Sequence, residues 1–240
     1  LDAVESGVDL TYGNFAGAIF AGESLGGIDR LDLTGANFSN ADLRGADLDR
    51  VVAPRARFFG ADLSCLTRDG QPPLCSSLAG ADLRAADWTA ADLSGASFVG
   101  PDPPLPSEGC ANDEPRPGVA LAGAVFVQTD LRGADLRGVD LAASNLRGAR
   151  LVDADLGSAC LRDAQLPLTD LSGASFDRAD LTAASLVGAV LEGTSLRGAR
   201  LDGARLSGAV LEDAELGCDG DRCTSARGAG LTGAGLVGAD

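Results

Sequence analysis

The densest group of chemistry-bearing side chains in this chain is the segment CDGDRC, residues 218–223. Its cysteines and aspartates could bind a metal ion, form a redox centre or close a disulfide. The chain contains no histidine, no cysteine pair with the two-residue spacing typical of zinc sites, and no EF-hand spacing around Asp219 and Asp221. We therefore expect no metal here, and a disulfide between Cys218 and Cys223.

Catalytic side chains of the usual kinds are missing from the sequence. Without histidine the chain lacks the ordinary general base near neutral pH, and without lysine it cannot form a Schiff base. Carboxylate pairs such as Asp153 and Asp155 recur at a regular spacing, which is typical of turn-stabilising aspartates. Gly228 and Gly230 lack the surroundings of a phosphate-binding loop. We expect a protein that is not an enzyme and has no catalytic residue or cofactor.

An apolar residue recurs at every fifth position over most of the chain. From Leu121 to Leu216 every fifth residue is Leu or Phe, and alanine commonly lies two residues earlier. The same spacing appears in shorter blocks, through Leu10, Phe15, Phe20 and Leu25, through Ile28, Leu33, Phe38, Leu43 and Leu48, through Phe58 and Leu63, through Leu78, Leu83, Trp88, Leu93 and Phe98, and through Leu231 and Leu236. This repeat is the main structural signal in the sequence.

A five-residue period matches neither a helix, which repeats every 3.6 residues, nor a strand, which repeats every two. It suits a backbone that turns a corner every five residues, with the large apolar residue and the small one before it pointing inward. Four such corners make a turn of about 20 residues, and successive turns stack at about the 4.8 Å spacing of β-ladders. Glycine is frequent two residues after the large residue, where a tight turn favours it.

The segments ANF, ADL and SNL at the centres of these repeats resemble the A(D/N)Lxx motif of the pentapeptide repeat family. The resemblance implies an all-β fold, a right-handed quadrilateral β-helix. We expect one solenoid domain over residues 1–240, with about ten turns and a length of roughly 50 Å.

Four segments interrupt the repeat. One is a phase slip at residues 25–28, and three are predicted loop insertions near residues 64–77, 99–118 and 217–230. The second and third segments contain most of the prolines, which cannot donate to a ladder, so we expect them to leave the coil.

Five of the six cysteines lie in these insertions, and Cys160 lies in the repeats. Cys65 and Cys75 bracket one insertion, as Cys218 and Cys223 bracket another. Cys110 can reach Cys160, which lies about two turns, or roughly 10 Å, along the coil from Leu121. The pairs Cys65–Cys75, Cys218–Cys223 and Cys110–Cys160 would indicate an oxidising compartment, outside the cell or in the periplasm of a bacterium. The alternative is a cytoplasmic protein with free thiols.

The net charge of the chain is −16, from 35 acidic and 19 basic residues. This balance disfavours direct nucleic-acid binding, which needs a basic surface. The family resemblance implies an alternative, because quinolone-resistance and mycobacterial members imitate DNA and bind DNA gyrase. A 50 Å duplex carries about 30 charges. Here arginines such as Arg132, Arg137 and Arg200 alternate with the acids, which favours a mixed solvated surface.

Six valines fall at outward positions and are predicted to occupy two adjacent faces of the coil: Val125, Val127, Val152, Val187, Val190 and Val210. They are candidates for an interaction surface. We therefore expect an exported, disulfide-stapled scaffold that binds a protein partner or associates with itself, by its faces or end to end. A DNA-mimic modulator of gyrase or another topoisomerase is the alternative.

No run of apolar residues is long enough for a transmembrane segment. The chain starts at Leu1 without methionine and stops at Asp240, where the repeat requires another leucine. We expect the native chain to extend further, or the coils to associate end to end.

Overall fold

The computed structural model describes residues 9–25, 31–99, 110 and 119–239. Within these ranges it contains no α-helix, and most of the chain consists of tight turns joined by single parallel β-bridges. Four short strands form two hairpins: β1 spans Leu66–Arg68, β2 Gln71–Leu74, β3 Cys218–Asp219 and β4 Arg222–Cys223. The predicted phase slip at 25–28 and most of the predicted loop 99–118 lie outside the described residues.

Each β-bridge involves the residue just before a large apolar residue. Where no insertion intervenes, the two bridged residues are 20 positions apart, as in Asp140↔Cys160 and Cys160↔Asp180. The bridges fall into four series, which we name ladders A to D. Ladder A consists of Asn14, Asn37, Arg57, Asp87, Val125, Asn145, Gln165, Ser185, Arg205 and Gly230. Ladder B consists of Ile19, Asp42, Asp62, Asp92, Asp130, Arg150, Asp170, Val190, Val210 and Gly235.

Ladder C consists of Ser24, Asp47, Ser77, Ser97, Asp135, Asp155, Ser175, Ser195 and Glu215. Ladder D consists of Asp32, Val52, Asp82, Ala120, Asp140, Cys160, Asp180, Arg200 and Ser225. The chain visits the ladders in the order D, A, B, C. We name each corner by the two ladders it joins. In each turn a ladder A residue is followed by a large apolar residue, and the next two residues form the AB corner.

The repeat 155–159 shows why five residues close a corner. The N–H of Asp155 donates to a carbonyl of the preceding turn at 3.0 Å, whereas those of Leu156 and Ser158 donate to the following turn at 2.7 and 2.8 Å. The N–H of Ala159 donates to the carbonyl of Leu156 at 3.0 Å. The remaining donor, the N–H of Gly157, donates to Oδ1 of Asp155 at 2.9 Å. All five backbone donors are satisfied, as buried or ordered backbone requires.

The interior is filled by the large apolar residue of each repeat and the small residue two positions before it. Leu156 and Ala154 are fully buried, as are their counterparts in most turns. Aromatic rings stack along the interior behind ladder A, with centroids 5.1 Å apart for Phe38 and Phe58 and 4.0 Å for Phe58 and Trp88. Burying each large side chain contributes roughly 1.5–3 kcal/mol, so the coil is stabilised without a globular core.

The segment around residues 64–77 leaves the coil, as its prolines predict, but it forms a hairpin rather than an irregular loop. Strands β1 and β2 pair antiparallel, with Leu66 opposite Leu74. Pro72 and Pro73 lie within β2, where an isolated two-stranded ribbon leaves one edge of each strand without ladder partners. The hairpin folds back over the BC corner of earlier turns, where the carbonyl oxygen of Leu74 lies 2.7 Å from where a Cβ on Gly45 would be.

The last insertion is smaller than the leucine pattern predicts. Strands β3 and β4 form a hairpin between ladders C and D, and ladder D resumes at Ser225. Ala226 then takes the position of the large apolar residue, and its carbonyl accepts the turn hydrogen bond from Ala229 at 3.1 Å. The repeat is therefore restored before Leu231, and an alanine in the leucine position conceals it from a search for large apolar residues.

A matched pair of glycines tests the packing of the β1–β2 hairpin. Gly45 and Gly133 lie at the BC corner with φ of 62° and 63°, but only Gly45 lies under the hairpin, and a Cβ on Gly133 would meet nothing within 4 Å. Gly133→Ala should lower the free energy of unfolding by about 1 kcal/mol through left-handed backbone strain. Gly45→Ala should lower it by about 2–3 kcal/mol, because the hairpin must also move. Urea unfolding measures both, and equal losses would contradict this packing.

Candidate functional site

Most aspartates that precede a large apolar residue stabilise turns. In four repeats the aspartate also accepts a forked pair of hydrogen bonds from an arginine two residues later, as in Asp82 with Arg84, at 2.8 and 2.6 Å. Hydrogen bonds from that arginine hold the pKa of Asp82 below its ordinary value despite partial burial. These carboxylates are therefore engaged in local structure, and Asp155, one of the carboxylates considered for acid–base chemistry, caps the N–H of Gly157 in the same way.

Asp180 on ladder D is the most buried carboxylate with ionic partners, and its side chain is only 1% exposed. Its Oδ2 lies 2.8 Å from Nε of Arg162 and 3.6 Å from Nη1 of Arg200. Its Oδ1 accepts from the N–H of Thr182 at 3.0 Å and from its hydroxyl at 2.5 Å. Burial raises the pKa of Asp180, but the hydrogen bonds from Thr182 and Arg162 outweigh it, and the pKa is lowered overall.

The six cysteines form three disulfides, with the pairs that the sequence predicts. Cys65–Cys75 closes the neck of the β1–β2 hairpin, and Cys218–Cys223 joins β3 to β4. Cys110–Cys160 spans 50 residues and ties the insertion between ladders C and D to ladder D, with the Cα atoms 4.9 Å apart. Two of the disulfides therefore close hairpins, and the third ties an insertion to the coil.

The segment CDGDRC thus forms a stapled hairpin. Asp219 forms an ion pair with Arg178 of the coil, and the carbonyl oxygen of Arg222 lies 2.9 Å from where a Cβ on Gly198 would be. Among the described residues no group of three or more His, Cys, Asp or Glu is arranged to hold a metal ion. The Cys218–Cys223 disulfide closes the neck of the hairpin, and this ion pair connects the hairpin to the coil.

The candidate valines lie along ladders A and B. Val190 and Val210 are bridged neighbours within ladder B, and Val125 lies in ladder A. Val127 and Val187 follow ladder A at the AB corner, and the sixth valine, at position 152, follows ladder B. All six are half-buried. The structure therefore places five of them on ladders A and B or at the AB corner, and places Val152 at the BC corner.

Three larger apolar side chains belong to the same surface and were not among the predicted residues: Ile19 on ladder B, which is 77% exposed, and two residues at the AB corner. Phe59 is 49% and Leu168 62% exposed, and both lie at the AB corner. The five-residue pattern assigns Phe58 and Leu166 to the interior of the same repeats and leaves no place for a second apolar residue. A large apolar residue one or two positions after a core residue is the signal that would have identified Phe59 and Leu168.

A family model described as pentapeptide repeats matches the chain in eight copies, over residues 29–64, 76–102, 118–151, 134–173, 149–182 and 174–213. These ranges cover more than half of the chain, which therefore belongs to the pentapeptide repeat family and is a β-helix. Comparison with curated protein sequences found no match. No helix in the described ranges is long and apolar enough to span a membrane.

Solved structures of this family are similar to the chain. HetL from the cyanobacterium Nostoc sp. PCC 7120, a protein involved in heterocyst differentiation regulation, is 28% identical, with 100% of this chain and 92% of HetL covered and a TM-score of 0.32. QnrB1, a plasmid-mediated fluoroquinolone resistance protein, is 16% identical, with 88% and 89% covered and a TM-score of 0.44. A protein of the Arabidopsis thaliana thylakoid lumen is 34% identical, with 41% and 66% covered and a TM-score of 0.24.

The pairing of Asp180 gives a pH-dependent prediction. Its folded-state pKa is below the unfolded value near 3.9, so its ionised form stabilises the fold above about pH 4, and this stabilisation is lost as pH falls through the folded-state pKa. Asp180→Asn keeps an oxygen for the N–H of Thr182 but removes the charge, and should cost about 1–3 kcal/mol at pH 7. Unfolding free energies between about pH 2 and 7 should then decline less steeply than in the wild type.

Asp140→Asn is the matched control for that measurement. Asp140 lies on the same ladder and caps the N–H of Ala142 at 3.0 Å, but it takes part in no ion pair among the described residues. Its replacement should change stability at pH 7 by less than about 0.5 kcal/mol. An equal effect of the two substitutions would show that the arginines around Asp180 contribute no stability.

Proposed function

We propose that the chain is a non-catalytic scaffold that binds protein through ladders A and B, and that it forms a right-handed quadrilateral β-helix of about ten turns. The four ladders and the 20-residue spacing of their bridges support the quadrilateral coil. Family membership supports an interaction role rather than catalysis. A single solenoid domain over residues 1–240 belongs to the same proposal.

One observation carries the interaction role: apolar side chains that reach solvent recur along the AB corner over several turns. Phe59, Leu168 and five of the six valines lie on ladders A and B or at the AB corner between them, whereas Val152 lies at the BC corner, and the AB corner carries no insertion in any described turn. The two hairpins leave the coil at the BC and CD corners, and the insertion that contains Cys110 connects ladder C to ladder D. A partner can therefore lie along several turns at once, as concave or flat repeat surfaces allow.

Export is the second part of the proposal, and three disulfides support it. The protein isolated from its native source under alkylating conditions should gain about 6 Da on reduction, two hydrogens for each bridge. Intact-mass spectrometry with and without reductant measures this gain. Six alkylated thiols without any reductant would contradict export and favour a cytoplasmic protein.

DNA mimicry remains the second candidate, and ladder B favours it. Asp42, Asp62, Asp92 and Asp130 follow one another on successive turns of that ladder. Arg44 pairs with Asp42 and Asp62, and the arginine two residues after Asp130 pairs with Asp130, so three of these four carboxylates are partly neutralised. A DNA gyrase supercoiling assay tests this candidate, because a DNA mimic should inhibit or protect the enzyme at about micromolar concentration. No effect at that concentration would exclude it.

Site-specific photo-crosslinking tests the scaffold directly. A photoreactive amino acid in place of Val127, at the AB corner, should give a protein adduct when the chain is produced in its native cell. Ala122 is the matched control, because it occupies the same position in the preceding repeat and is equally half-buried, but lies at the DA corner. Adducts at 127 and none at 122 would support the scaffold, whereas no adduct at either position would contradict it.

A further inference from the structure

One edge of the coil is almost free of negative charge. It consists of ladder A and the AB corner, and we name it the acid-poor edge. Asp87 is its one acidic residue, whereas ladder B alone carries five aspartates and the whole chain 35 acidic residues. Three arginines, Arg57, Arg147 and Arg205, also lie on it. All residues of ladder A and the AB corner belong to the described part of the chain, so this count of acidic residues covers the whole edge.

The arginines of this edge differ from most others in having no acidic partner. Nine arginines elsewhere form ion pairs with a carboxylate within 4 Å, whereas Arg57, Arg147 and Arg205 form none with the described residues. Asp87 also forms no ion pair there, although its Oδ1 caps Thr89. The edge therefore presents unneutralised charges of both signs beside the exposed rings and methyl groups of Phe59 and Leu168.

We propose that a second copy of this chain packs antiparallel along the acid-poor edge, about a two-fold axis at Val127. This identifies the partner of the proposed scaffold and rests on that proposed function. Two chains with a net charge of −16 repel each other, and the acid-poor edge is where they approach with least repulsion. A two-fold axis brings the same surface of both copies together, so the surface must complement itself.

The order of the residues along the edge fits this symmetry. Counting turns by ladder A from Asn14, Val127 lies in the fifth turn, Phe59 in the third and Leu168 in the seventh. An antiparallel pair centred on the fifth turn therefore places Phe59 of each copy opposite Leu168 of the other. It also places Asp87, in the fourth turn, opposite Arg147, in the sixth. Apolar residues meet apolar residues, and the one acid meets an arginine.

Neighbouring registers are less favourable. Centring the pair on the fourth turn would place the two copies of Asp87 face to face, and centring it on the sixth would do the same to Arg147. Ten turns at about 4.8 Å and an edge about 10 Å wide bury roughly 1,000 Å² in total, which is the lower limit for a specific interface. The dimer should therefore be weak, with a Kd of about 1–100 μM.

Sedimentation velocity of the purified, disulfide-bonded chain from about 1 to 500 μM tests the proposal. The wild type should show a concentration-dependent monomer–dimer equilibrium. Val127→Arg places two like charges at the axis and should weaken the dimer at least about tenfold. Val152→Arg is the matched control, because Val152 has the same position in its repeat but lies at the BC corner, and its dimerisation should equal that of the wild type.

Exchanging the charges of Asp87 and Arg147 tests whether the dimer is centred on the fifth turn. Arg147→Asp and Asp87→Arg should each weaken the dimer about tenfold, because each places like charges opposite one another. The double variant restores opposite charges across the axis and should return within about threefold of the wild-type Kd. Melting temperatures of all variants identify any that fail to fold, and Arg147→Asp alone, at an exposed position, still tests the contact.

The outcomes separate this inference from the proposed function. A wild-type chain that stays monomeric to about 500 μM overturns the dimer, as does a dimer that Val127→Arg and the charge exchange leave unchanged. In either case, a crosslink from position 127 to a different protein would leave the scaffold function intact. A crosslink between two copies of position 127, together with loss of the dimer in Val127→Arg, supports the inference.

Discussion

The structure depends on satisfying the backbone donors of a five-residue corner. Four of the five N–H groups reach carbonyls of the same turn or of its neighbours, and the fifth requires a side-chain acceptor, as Asp155 provides for Gly157. An unpaired donor at each of the many corners would be costly if it were buried. The aspartate or asparagine that precedes many of the leucines is therefore explained by the geometry of the corner, independently of any binding role.

Where the residue before the large apolar residue is serine, a carboxylate of the preceding turn can accept the hydrogen bond from the fifth N–H group. Asp49, Asp177 and Asp202 each lie at a corner and accept from the serine hydroxyl and the backbone N–H of the turn that follows, for example from Ala79 N–H at 2.8 Å. A valine cannot supply an acceptor at all. The repeats of Val125, Val190 and Val210 therefore lack, among the described residues, a side-chain acceptor for this N–H group and have an apolar surface residue instead. Such a departure from the local rule is expected at an interaction surface.

The sequence predicted the structure well where the five-residue period is regular and less well where insertions or exceptions interrupt it. The five-residue period identified the interior residues, the outward positions of the valines and the positions from which cysteines can pair. It did not predict strands around Pro72 and Pro73, because proline argues against a strand unless the partner ribbon is isolated. It also missed Ala226 in a leucine position and the outward Leu168, because a search for large apolar residues at every fifth position finds neither a small core residue nor a large residue at a corner.

The disulfides and the acid-poor edge divide the coil into two sides with different physical roles. Hairpins and insertions at the BC and CD corners lengthen the chain between turns, and disulfides limit the conformational freedom that such insertions add to the unfolded state. The AB corner has no insertion, so its residues keep the regular spacing of the ladder. Regular spacing is what a self-complementary surface requires, because an insertion at that corner would place a loop between the two surfaces. The side that carries the insertions is therefore unsuited to lateral packing, and the acid-poor edge combines a regular register, exposed apolar groups and little repulsion.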